Sequence, residues 1–211
     1  MSESPVLSFL NKLADLLLLN ALWLICCIPV VTIGAATTAM YYVCIVSIRS
    51  GDGYVVRRFF KSFRENFKKA TILWMLMLLL GTILGADLFF WYVQGSLFAK
   101  IMFVLSAVLA VLIGIVALWS LPVLAKLDGS LKQTVVNAAK FAIAYLPYTA
   151  MVLLITGIFV FANLKSIAMN AISFFVGFAV LAYVQSFFFY KVFMNHIEER
   201  FDDFYRDESF H

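Results

Sequence analysis

Apolar residues along most of this chain come in unbroken runs. Six stand out: about Leu13 to Val31, Ala35 to Ile48, Thr71 to Val93, Ile101 to Leu124, Pro147 to Ala162 and Ile167 to Phe193. About 20 helical residues cover the roughly 30 Å of hydrocarbon in a bilayer. Four of the runs are long enough to do so unaided. The pattern predicts an all-α polytopic membrane protein with six transmembrane helices, forming a single membrane domain over residues 1–211.

The second and fifth runs are short and need another solution. Pro29, Thr32 and Gly34 stand before the second and mark a helix break. The threonine hydroxyl can satisfy backbone groups that the break frees. Two clean spans are the favoured reading, and a broken helix within one re-entrant membrane hairpin is the alternative. For the fifth run, Lys140 can snorkel, so the helix is expected to begin before Pro147 and to kink there. A cleaved signal peptide is disfavoured, because Glu3, Asn11 and Asp15 sit in the N-terminal region and a second apolar segment follows at once.

Three polar stretches between and after the runs have helical periodicity and are expected to be amphipathic cytoplasmic helices, at about 54–69, 127–145 and 193–205. In the first, Val56, Phe59, Phe60, Phe63 and Phe67 fall on one face, with Arg57, Arg58, Lys61, Arg64, Lys68 and Lys69 around the rest. Such a helix can lie on anionic membrane headgroups or dock a partner, and Phe59, Phe60, Phe63, Arg57, Arg58, Lys61 and Arg64 are the candidate docking residues. In the second, Leu127, Leu131, Thr134, Val135 and Ala138 share a face. Its Asn137-Ala138-Ala139 lacks the flanking acid and glycine of a permease coupling helix and is read as coincidence. In the third, Phe193, Ile197, Phe201 and Phe204 form a stripe beside six acidic residues.

Composition agrees with the membrane reading. The chain is 64% hydrophobic and 13% charged, against about 45–50% and about 25% for a soluble domain. That excludes an ordinary soluble globule, a disordered chain and a secreted disulfide scaffold. Positive charge is the topological signal. With six spans, fourteen of the sixteen Lys and Arg fall on one side, leaving Lys100 and Lys165 on the other. The positive-inside rule places both termini in the cytoplasm.

Candidate chemistry is sparse. His196 and His211 both lie near the C-terminus, and Cys26, Cys27 and Cys44 sit in apolar runs, where small apolar packing is their expected role. No metal-ligand spacing, nucleophile motif or phosphate-binding glycine loop occurs. The expectation is a non-enzymatic protein with no cofactor, no metal and no nucleic-acid partner. Asp87 is the one acid well within an expected span, about 10 Å from its outer end by helical rise, and an intramembrane carboxylate is a candidate site. Asn20, Asn170 and Gln185 are read as interhelical hydrogen-bond groups, and Gly81 and Gly85 as a close-packing face.

One stretch carries a resemblance. Asn20-Ala-Leu-Trp-Leu followed by Pro29-Val-Val-Thr-Ile-Gly-Ala-Ala-Thr-Thr-Ala-Met-Tyr resembles the signature of the YesL family, at Asn20, Trp23, Pro29, Thr32, Gly34, Thr38, Ala39 and Tyr41. The aromatic–basic segment ending near Asn66 and Phe67 is also similar. That family comprises small bacterial multi-pass membrane proteins classed as a domain of unknown function. The resemblance implies a bacterial cell membrane location and an accessory role in ABC-type uptake of oligosaccharides, with permease subunits as partners. A stand-alone small-solute transporter or channel, with its path near Asp87 and the Pro29–Gly34 break, is the alternative.

The charge asymmetry generates a direct test. With the native cysteines replaced, Ser50→Cys and Ser130→Cys should resist membrane-impermeant thiol reagents in intact cells, and Gln94→Cys and Ser166→Cys should react. The reverse pattern would overturn the orientation.

Overall fold

A computed structural model of the chain describes residues 5–50, 54–127 and 129–194. It is helical, with no strand among those residues. Eight α-helices follow in order: α1 (Pro5–Cys26), α2 (Ile33–Ser50), α3 (Val55–Gln94), α4 (Leu97–Lys126), α5 (Leu131–Ala144), α6 (Leu146–Lys165), α7 (Ile167–Ile172) and α8 (Phe178–Met194). A 3-10 turn, Val30–Thr32, leads into α2, and a π-helical turn, Ser173–Gly177, joins α7 to α8 without interruption. Six helical stretches are long and apolar enough to cross a membrane. The protein is an all-α polytopic membrane protein.

α2 is the hub. Its residues Ala39 to Val46 are buried without a gap, and it packs against α1, α3, α4 and α8. Small residues explain the close packing: Ala35, Ala36, Thr38 and Ala39 are fully buried. α1 runs antiparallel to it from Lys12 to Trp23. Lys12 Nζ donates to Ser47 Oγ at 2.7 Å near one end, and Trp23 Nε1 donates to Thr37 Oγ1 at 3.0 Å near the other.

α3 packs antiparallel to α2 more extensively than any other pair of helices in the bundle. The connection is short, residues 51–54, and Tyr54 is left-handed, with φ 55°. Val55 then stands beside Ser47, and at the far end of α2 Gly34 lies against Ala70 and Trp74. A side chain at Gly34 would bring its Cβ to 2.5 Å from Trp74 Cβ and 2.6 Å from the Ala70 carbonyl oxygen. Glycine is therefore what lets the two backbones meet.

The expected separation of a cytoplasmic helix at 54–69 from a span at 71–93 does not occur. α3 is one helix of 40 residues, about 60 Å by helical rise. Residues 55–80 contain neither proline nor glycine, so nothing there supplies the usual cause of a sharp kink. Gly95, with φ +68°, ends the helix in the left-handed conformation that glycine adopts at low cost. Ser96 caps α4, accepting from the Ala99 amide at 3.1 Å.

The other side of α2 is aromatic. The Phe189 ring meets Tyr41 at 5.6 Å and Trp119 at 4.9 Å, both edge-on. Trp119 Nε1 donates to Thr149 Oγ1 at 3.1 Å, and Thr149 Oγ1 donates to the Ala142 carbonyl at 3.1 Å. That pair ties α4, α5 and α6 together. The expected kink at Pro147 is a full break instead. α5 ends at Ala144, Tyr145 takes φ −118° and ψ 48°, and Pro147 sits in the first turn of α6, where its missing N–H is not needed. The stripe expected at Phe193, Ile197, Phe201 and Phe204 lies outside the described residues beyond Met194; Phe193 itself is fully buried.

Gly34 generates a stability prediction. Gly34→Ala should force α2 and α3 apart and cost about 1–3 kcal/mol. Gly81→Ala, which meets nothing within 4 Å, should be neutral or slightly stabilising. Thermal unfolding of the two variants in detergent measures the difference; equal midpoints would remove Gly34 from this role.

Candidate functional site

The candidate docking residues do not share one face. Phe59 is fully buried, Phe63 is half-buried, and Phe60 is exposed. Their rings pack on one another, Phe59 on Phe60 at 5.6 Å, Phe59 on Phe63 at 6.1 Å and Phe63 on Phe67 at 5.4 Å. The buried side of this half of α3 is Val55, Phe59, Ser62, Ala70 and Leu73. That spacing follows the 3.6-residue repeat but uses small and polar residues where periodicity looks for large apolar ones. Asn66, half-buried on the same side, donates to the Ser62 carbonyl at 3.1 Å.

Opposite the buried side runs a line of cations. Arg57, Lys61, Arg64 and Lys68 are all exposed, and their spacing of four, three and four residues stacks them along the helix. Val56, Phe60 and Phe67, also exposed, form an apolar border to one side of it. Arg58 and Lys69 are half-buried on the other side. The result is a cationic stripe with an aromatic edge, suited to an anionic surface with an apolar layer beneath.

Several intramembrane polar groups are engaged by internal bonds, whereas the buried hydroxyls of Thr71 and Ser173 have no partner and Asn170 is exposed. Asn20 is fully buried, donating to the Phe174 carbonyl at 2.7 Å and accepting from the Ala179 amide at 3.0 Å. Phe174 lies within the π-turn and Ala179 just after it, where backbone bonding is irregular, so Asn20 completes the α7–α8 helix from α1. Tyr41 donates to Gln185 Oε1 at 2.6 Å, and Gln185 Nε2 donates to Thr156 Oγ1 at 2.8 Å, which links α2, α8 and α6. Asp87, partly exposed on α3, accepts from Trp91 Nε1 of its own helix at 3.0 Å.

The helix-break residues have equally local work. Thr32 Oγ1 donates to the carbonyls of Cys26 at 2.5 Å and Pro29 at 2.7 Å. Trp74 Nε1 reaches across from α3 to the Val30 carbonyl at 2.9 Å. The carbonyls freed between α1 and α2 are thus met by side chains.

One group escaped the sequence reading. Lys12 reaches Ser47 and lies 4.5 Å from the Tyr183 ring centroid. With Asp15, Cys44 and Val55 they line a cavity of about 10 Å³, room for no more than one water molecule. The signal was present in the sequence, a lysine and an aspartate three residues apart at the start of an apolar run.

Residues 16–88 match the family model described as a protein of unknown function, DUF624, the family to which YesL belongs. No curated protein and no solved structure matches the chain. The matched stretch covers the second half of α1, all of α2 and most of α3, and contains Asn20, the helix break, the cationic stripe and Asp87.

The two intramembrane candidates should behave differently when changed. Asn20→Leu strands a buried carbonyl and amide and should cost about 1–3 kcal/mol for each group left unsatisfied. Asp87→Asn keeps an acceptor for Trp91 and should be close to silent in both stability and function. Unfolding midpoints and membrane abundance report on both; loss of function by Asp87→Asn at normal abundance would make that carboxylate a working group.

Proposed function

We propose that this bacterial membrane protein, with its DUF624 segment, is a non-enzymatic accessory subunit that works beside carbohydrate ABC uptake machinery, with permease subunits as partners. One observation carries the accessory part of the reading. Asn20, Tyr41, Gln185 and Thr156 are bonded between helices and Asp87 to its own helix, whereas Arg57, Lys61, Arg64 and Lys68 of α3, with Phe60 and Phe67 beside them, face outward. An interior engaged in packing, with chemistry on its outer surface, suits a protein that binds neighbours in the membrane. The link to carbohydrate uptake comes from the resemblance to the YesL family.

The alternative, a stand-alone transporter or channel, draws less support from the structure. Its expected path joins Asp87 to the Pro29–Gly34 break. Asp87 is paired with Trp91, and Thr32 and Trp74 close the break.

Gentle solubilisation of native membranes distinguishes the two. Permease subunits should co-elute with the tagged protein in stoichiometric amount, and the protein alone in liposomes should leave oligosaccharide flux at background. Flux by the lone protein, with no permease in the eluate, would overturn the accessory reading in favour of transport.

A further inference from the structure

α3 travels most of a bilayer past the α1–α2 turn. The bond from Trp74 to the Val30 carbonyl fixes the level of that turn on α3. From Trp74 to Gln94 the helix climbs about 30 Å, or about 23 Å if tilted by about 40°. Trp91 and Tyr92 near its far end are residues that favour a bilayer interface. With the α3–α4 turn at that interface and hydrocarbon about 30 Å thick, the α1–α2 turn lies some 20 Å or more beneath it.

The turn is made for such a place. No charged residue occurs from Leu16 to Ile48. Ile25, Ile28, Val30 and Val31 are exposed there. Thr32 and Trp74 meet its freed carbonyls, as irregular backbone at membrane depth requires.

The cationic stripe agrees with this depth. Lys68 lies about 9 Å below Trp74 along α3 and Arg57 about 25 Å below. Were the α1–α2 turn at the far interface, all four exposed cations would pass through hydrocarbon, where charge is strongly disfavoured. With the turn inside the hydrocarbon, Lys68 comes to the near boundary and Arg64, Lys61 and Arg57 follow it into the headgroups and beyond. The exposed Leu10, Leu13, Leu17 and Leu18 of α1 draw the hairpin inward, while the stripe limits how far it goes.

We propose that α1 and α2 form a re-entrant hairpin whose turn stops within the hydrocarbon, and that the stripe Arg57, Lys61, Arg64 and Lys68, which runs outward from the near hydrocarbon boundary through the headgroup layer, binds anionic phospholipid. α3, α4, α6 and the α7–α8 stretch remain the crossing helices, and α1 and α2 enter from the near face without crossing. The inference is independent of any uptake partner and of which face is cytoplasmic.

The test uses the full chain, with native cysteines replaced, in phosphatidylcholine vesicles with and without phosphatidylglycerol. An environment-sensitive fluorophore on Val31→Cys should be quenched by lipids brominated at mid-chain, and one on Gln94→Cys by a headgroup quencher. Matching headgroup quenching at both positions would overturn the re-entrant hairpin. Spin-labelled phosphatidylglycerol should be enriched over spin-labelled phosphatidylcholine around the protein. The enrichment should fall at least twofold in R57Q/K61Q/R64Q/K68Q, whose changes are all on exposed positions and whose helicity is checked by circular dichroism. Undiminished enrichment in the folded variant would overturn lipid binding by the stripe.

Discussion

The approach of α2 to α3 at Gly34 sets the register on which the bundle depends. Because no side chain separates the backbones there, Trp74 is brought under the α1–α2 turn, and its indole reaches the Val30 carbonyl. The same register buries Phe59 and aims Arg57, Lys61, Arg64 and Lys68 outward. A shift of α3 by one residue would rotate it by about 100°, turning cations toward the core. Register and surface chemistry therefore share a cause.

A second constraint is the obligation to satisfy backbone groups where water is scarce. The chain departs from regular α-helix at two places within its apolar stretches, the α1–α2 turn and the π-turn before α8. Each is completed by a side chain from another helix: Trp74 of α3 at the first, Asn20 of α1 at the second. Irregular backbone here couples distant segments, and it gives Asn20 and Trp74 a structural role within apolar surroundings.

Much of the architecture was legible in the sequence. The six apolar runs correspond to the six helical stretches able to cross a membrane, since sustained apolarity over 20 residues has few other meanings. The role of Asn20 and Gln185 as interhelical bonding groups was also legible, because an amide within a span needs a partner. The continuity of α3 was obscured by the change in composition near residue 70, although the lack of proline or glycine from 55 to 80 pointed to it. The exposed and buried faces of that helix were misjudged for a physical reason. Close packing against α2 favours Ser62 and Ala70 over larger side chains, so the face with the most aromatic residues was not the face most deeply buried. Asp87 shows the opposite limit: its carboxylate stood out as a costly intramembrane charge, and its partner Trp91, one helical turn away, became evident only from geometry.

These observations bear on what kind of work the molecule can do. Moving a solute through a bundle requires polar groups that can exchange partners as the solute passes. Here the chain from Tyr41 through Gln185 to Thr156, and the pair Trp119 with Thr149, cross-link helices that would have to separate for that exchange. Breaking them in a low-dielectric interior leaves donors and acceptors with no water to turn to. Such networks favour a bundle that moves as a unit. On the proposed reading such a bundle acts through its surface, which carries apolar faces on α1, α4, α6, α7 and α8 and the cationic, aromatic-edged face of α3. The former suit a hydrocarbon environment, and the latter is the face on which the proposed recognition of anionic lipid or a neighbouring protein rests.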